Sequence, residues 1–117
     1  MKLLIPILFL ISLSTSSQIK KLEGVWTSRS SSYYTTIMYN EEKNEFKVMN
    51  FSFADDRIIH ELVLKIEENY ILTSLYNEDN NYSVNVTYEL LNDNQILCVY
   101  EGDLNKRLAL NRIFLED

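Results

Sequence analysis

The chain has 117 residues, of which 11 are Lys or Arg and 17 are Asp or Glu, so its formal net charge is −6. An acidic surface repels the phosphate backbone of nucleic acids and offers no polybasic patch to anionic lipids, which argues against both as partners. The length suits one domain, and Cys98, as the only cysteine, can form no disulfide within the chain. Cys98 is either a buried, unreactive thiol or one half of a disulfide to another chain.

The first 17 residues have the three-part layout of a secretory signal peptide. Lys2 gives a positive start, residues 3–13 form an apolar run of eleven residues, and small hydroxyl residues follow up to Ser17. The run is shorter than the roughly 20 residues of a membrane-spanning helix, although a retained N-terminal anchor is the alternative. We predict a cleaved signal peptide over 1–17 and an exported domain over 18–117, secreted or periplasmic, with no stable membrane insertion after cleavage.

The rest of the chain alternates between β-type segments and turn-forming clusters. The segments are rich in Val, Ile, Thr, Tyr and Phe, and the clusters contain Asn, Asp and Glu, since Gly and Pro are scarce. Short connections make consecutive strands antiparallel neighbours, and closure of the sheet removes its two exposed edges. We therefore predict an all-β fold, an eight-stranded antiparallel up-and-down meander that closes into a small barrel. The predicted strands are 24–30, 33–40, 45–53, 58–67, 70–77, 81–91, 95–101 and 106–115.

Two segments show the alternation of a strand with one dry face and one wet face. In the sixth segment, Val84, Val86 and Tyr88 alternate with Asn85 and Thr87. In the fourth, three apolar residues alternate with Glu61 and Lys65, and a histidine precedes them on the same face. That histidine would either contact a ligand or pair with a neighbour at the strand end. The residues predicted to line the barrel interior are His60, Leu62, Leu64, Ile66, Val84, Val86 and Tyr88.

The third segment is apolar on both sides. Phe46 and Val48 occupy one face of the strand, whereas Met49, Phe51 and Phe53 occupy the other. A strand of this kind suits an interface with another protein. The alternative is a β-bulge that switches the inward face along the strand.

The first strand opens with Gly24-Val25-Trp26. A Gly-x-Trp at this position resembles the start of lipocalin and calycin barrels. In that family the Trp lies near the closed end of the barrel, and an Arg from the last strand packs across its ring. The resemblance implies a structural pair between Trp26 and Arg112, with Arg107 as the alternative if a bulge intervenes. The chain departs from typical lipocalins in its short length, its lack of a C-terminal helix pattern and its lack of a cysteine pair.

No pattern in the chain indicates catalysis. One His and one Cys cannot build a zinc site. Asp55-Asp56 and Glu78-Asp79 lack the ligand spacing and turn glycine of a calcium loop. We expect no enzymatic activity, no metal and no cofactor, although an enzyme of lipocalin-like fold is a third hypothesis.

Two functions without catalysis remain open. The barrel could hold a small apolar or amphipathic molecule, or it could be filled by side chains and act as a protein-interaction or structural module through its rim or outer face. The identity of a protein partner cannot be read from the sequence. A ligand site needs a cavity of roughly 300 Å³ or more, so the interior volume distinguishes the two hypotheses.

Overall fold

The computed structural model describes residues 19–29, 32–52, 54, 56–78 and 81–113. Within these residues, eight antiparallel strands close into one barrel, in which each strand pairs with the next and the last pairs with the first. This confirms the predicted all-β, up-and-down architecture. The strands are β1 (Gly24–Thr27), β2 (Tyr33–Asn40), β3 (Glu45–Ser52), β4 (Arg57–Ile66), β5 (Tyr70–Asn77), β6 (Tyr82–Asn92), β7 (Gln95–Gly102) and β8 (Lys106–Arg112).

Asn residues form the turns where the chain has few glycines. Asn44 and Asn81 adopt positive φ angles of 51° and 56°, which Asn tolerates better than most residues. The side chain of Asn40 accepts hydrogen bonds from the amides of Glu42 and Lys43, at 3.0 and 3.3 Å. These local contacts explain why the strand limits could be predicted from the turn clusters. β1 and β8 end earlier than expected, at Thr27 and Arg112.

The predicted signal peptide lies outside the described residues. A short helical turn at 19–22 precedes β1, in which the amide of Leu22 donates to the carbonyl of Ile19 at 3.2 Å. Among the described residues, no helix is long and apolar enough to cross a membrane.

β4 faces the opposite way from the prediction. Val48 is buried and pairs with Glu61, and directly paired residues of adjacent strands share a face. Glu61 therefore points into the barrel, whereas Leu62 and Leu64 point outward and are 67% and 50% exposed. The prediction was wrong because it assigned the more apolar face of β4 to the interior, whereas the pairing with β3 decides the orientation. The residues whose predicted interior position is corrected are His60, Leu62, Leu64 and Ile66.

One end of the barrel is closed by Trp26, which is fully buried. Trp26 and Arg112 are direct partners in the β1–β8 pairing, and the guanidinium carbon of Arg112 lies 4.3 Å from the centre of the Trp26 ring. The Arg112 side chain donates to the carbonyl oxygens of Glu23 and Lys21, both at 2.7 Å, and of Asp93 at 2.9 Å. Arg112 thus ties the N-terminal turn to the β6–β7 hairpin and covers the Trp26 ring.

Gly24 is required by this closed end. It has a φ angle of +152°, and a Cβ built at this position would lie 2.5 Å from Nη1 of Arg112. A side chain would therefore displace the guanidinium and strain the backbone. The Gly-x-Trp spacing places the glycine against the Arg112 guanidinium and the Trp ring beneath it.

Candidate ligand site

The two halves of the barrel interior differ. The half near the closed end is packed with buried side chains, among them Ile37, Ile71, Ile96 and Cys98. The half near the other end contains a cavity of about 440 Å³. Ser32, just before β2, and Leu104, in the β7–β8 connection, lie at the rim of this cavity, and it therefore opens at that end of the barrel.

The cavity wall combines apolar and polar side chains. Its aliphatic lining comes from three strands and the β7–β8 connection, and its polar lining includes Glu61, Asn50 and Thr35. An apolar surface that carries positioned polar groups is typical of small-molecule sites. The aliphatic lining residues are Ile59 on β4, Leu75 on β5, Leu104 in the β7–β8 connection, and Leu108 and Leu110 on β8.

Glu61 is the most unusual residue of the cavity because it is a carboxylate that is only 7% exposed. The hydroxyl of Tyr88 donates to both of its oxygens, at 2.8 and 2.9 Å. Thr73 Oγ1 and Asn50 Nδ2 donate to one oxygen each. Thr35 in turn donates to the side-chain oxygen of Asn50 at 2.7 Å. Four strands besides β4 therefore contribute to one polar network around a single buried carboxylate.

Glu61 has no cationic partner among the described residues. The ion pairs found there involve other residues, and Lys106, the cation that lines the cavity, is exposed on its rim. Burying a carboxylate is costly unless hydrogen bonds compensate for the lost water. The three neutral donors give this compensation, but they leave the negative charge uncancelled.

Burial also changes the acidity of the groups around Glu61. It raises the pKa of Tyr88 well above its usual value, and the negative charge of Glu61 raises it further. Burial raises the pKa of Tyr100, which lines the cavity, and it raises the pKa of the Cys98 thiol, with Glu61 as a second cause. Tyr88 therefore keeps its proton and remains a donor to Glu61. Cys98 is fully buried and remains protonated, which favours the unreactive thiol over a disulfide to another chain.

The remaining residues predicted for the interior lie inside the barrel but do not form the cavity wall. Val84, Val86 and Tyr88 are buried in the core, and Tyr88 reaches the site through its bond to Glu61. Glu61 was not predicted as a site residue, because the apolar residues on the opposite face of β4 were assigned to the barrel interior. Once β3 and β4 are paired, the polar residues Thr35, Asn50 and Thr73 on inward positions of three strands indicate a buried polar partner.

No metal site of three or more His, Cys, Asp or Glu side chains occurs in the part of the chain that the structure describes. No protein-family model, curated protein or solved structure matches the chain.

Proposed function

We propose that this chain is an exported, lipocalin-like barrel that binds a small amphipathic molecule in the cavity above Glu61. The observation that carries the proposal is the unfilled half of the barrel, with about 440 Å³ of space. This volume exceeds the roughly 300 Å³ of a small ligand site. A barrel that serves only as a scaffold has no need of such a cavity, because eight strands can be filled by side chains.

Membership of the calycin group is part of this proposal. The closed eight-stranded barrel is consistent with it, and so is the contact between Arg112 and Trp26 at the closed end. Export is proposed from the signal-peptide pattern of residues 1–17. Release of an exported domain that begins near residue 18 would be detected by mass spectrometry of the extracellular or periplasmic fraction.

The binding proposal is tested with N-phenyl-1-naphthylamine, a neutral amphipathic probe that fluoresces in apolar sites. We expect the wild-type protein to enhance its fluorescence saturably. Leu108→Trp should abolish this enhancement because Leu108 lines the cavity and a larger side chain there would fill it. Leu62→Trp is the matched control, since Leu62 is 67% exposed on the outer face. Equal enhancement by wild-type protein and Leu108→Trp would place the probe elsewhere and contradict the proposal.

Contact with another protein is the second candidate function. The observation in its favour is the outer face of β4, where Ile58, Leu62 and Leu64 are at least half exposed. Met49 and Phe51 on the neighbouring strand are half-buried on the same side, and Phe53 lies outside the described residues. Self-association through this face should appear in sedimentation velocity and should weaken in Leu62→Ser. A wild-type protein that stays monomeric at all concentrations would remove self-association from consideration.

A further inference from the structure

We propose that the ligand is a small amphipathic amine, whose protonated amino group binds Glu61 and whose apolar part fills the cavity. This inference rests on the proposed function and names the ligand class. Its basis is one juxtaposition: Glu61 is a buried carboxylate without a cationic partner among the described residues, and it lines a cavity whose wall also carries aliphatic side chains.

The hydrogen bonds of Glu61 leave room for one more donor. A carboxylate offers about four acceptor positions, and Asn50, Thr73 and Tyr88 supply one proton each, that of Tyr88 being shared between the two oxygens. The hydroxyl of Thr73 also lies 3.3 Å from the carbonyl of Val86, so its proton has two acceptors within reach. An ammonium group carries three donors and no acceptor, which suits a carboxylate whose other neighbours all donate.

Charge selects an amine over the other common amphipathic head groups. A ligand carboxylate placed beside Glu61 would bring two negative charges together in a site of low dielectric, where their repulsion is strong. A hydroxyl could donate one hydrogen bond but would leave the buried charge uncancelled. A cation both donates and neutralises, and charge-assisted hydrogen bonds are the stronger kind.

The apolar part of the ligand has a defined place. Ile59, Leu75 and Leu108 line the wall of the same cavity, so a short alkyl or aryl group attached to the amine would be removed from water. The cavity volume of about 440 Å³ limits that group to the size of a small molecule. Lys106 lies exposed at the rim, where water and salt screen its charge.

A ligand bound in the opposite orientation, with its head group at the rim of the cavity, would depend on different residues. A ligand carboxylate would avoid Glu61 and place its head group at the rim beside Lys106. Such a ligand would bind head-outward, and its affinity would depend on Lys106 and not on Glu61. The two orientations are therefore separable with two single substitutions.

The experiment uses three probes that share one eight-carbon chain: octylamine, octanol and octanoate. Each is titrated against the wild-type protein with bound N-phenyl-1-naphthylamine, and the displacement of the fluorescent probe is measured. We expect octylamine to displace it at a concentration at least about tenfold lower than octanoate, with octanol between them. In Glu61→Gln the preference for octylamine should fall to about the level of octanol. In Lys106→Gln, the matched control, it should remain.

The outcomes separate this inference from the proposed function. Octanoate binding as tightly as octylamine, or a preference that survives in Glu61→Gln, would overturn the amine proposal while leaving ligand binding intact. Failure of the wild-type protein to bind any of the four molecules would count against both. Circular dichroism in the near ultraviolet checks that Glu61→Gln is folded. If it is not, the order of the three probes on wild-type protein still decides the question.

Discussion

Removal of the Tyr88 hydroxyl should destabilise the barrel more than removal of any comparable tyrosine hydroxyl. Tyr88 is fully buried and donates to both oxygens of the buried Glu61 carboxylate, at 2.8 and 2.9 Å. A hydrogen bond to a charged group contributes about 1.5–3 kcal/mol to stability. The Tyr88→Phe substitution keeps the ring and deletes only this donor, so we expect the free energy of unfolding to fall by about that amount.

The assay is thermal and urea unfolding followed by circular dichroism. For a domain of this size, 1 kcal/mol corresponds to about 4–8 °C in Tm, so Tyr88→Phe should lower Tm by about 6–24 °C. Tyr100→Phe is the matched control, because Tyr100 is also half-buried beside the cavity but donates no hydrogen bond to Glu61. Its effect should be within about 0.5 kcal/mol. Equal losses in the two variants would refute the idea that Tyr88 stabilises the buried charge.

Three further predictions concern the closed end and the buried ionisable groups. Arg112→Ala removes three hydrogen bonds and the contact with the tryptophan ring, and should lower the free energy of unfolding in urea by about 2–4 kcal/mol. Arg107 is exposed on the same strand, and Arg107→Ala should cost less than about 0.5 kcal/mol. Gly24→Ala should cost about 1–3 kcal/mol, and less in the Arg112→Ala background, because a Cβ at this position meets Arg112; additive effects would contradict this contact. Stability should fall as pH rises above about 9, because the unfolded chain loses protons that the folded state retains on Cys98 and Tyr88, whose pKa values are raised from ordinary values of 9.0 and 10.0. In Cys98→Ala the loss of stability should begin only at about pH 10. A loss that still began at about pH 9 in that variant would contradict the role of the Cys98 thiol.

Much of the fold could be predicted from local patterns. The turn clusters mark the ends of the strands because Asn at positions such as Asn44 and Asn81 adopts the backbone angles that the turns require. The alternation of β6 gave the correct inward face, with Val84, Val86 and Tyr88 buried. The contact between Trp26 and Arg112 was expected only through the resemblance to lipocalin-like barrels, since nothing local in the sequence joins two residues at opposite ends of the chain.

The site could not be predicted in the same way. In β4 the more apolar face is exposed, so periodicity alone assigns the wrong side to the interior. Its orientation follows from the pairing of Val48 with Glu61, which is a property of two strands. The burial of Glu61 further depends on donors from Asn50, Thr73 and Tyr88, which lie on three other strands. In the alternation of β4 alone, Glu61 occupies the polar face and has the pattern of a solvent-facing residue.

The most direct test of ligand binding in this cavity is the titration of octylamine into protein with ¹³C-labelled methyl groups, followed by NMR. The proposed site predicts saturable shifts for the methyl groups of Ile59, Leu75 and Leu108, which line the cavity, and none for those of Leu62 and Leu64 on the outer face. Shifts confined to Leu62 and Leu64, or no shifts at any of the five residues, would contradict binding inside the barrel.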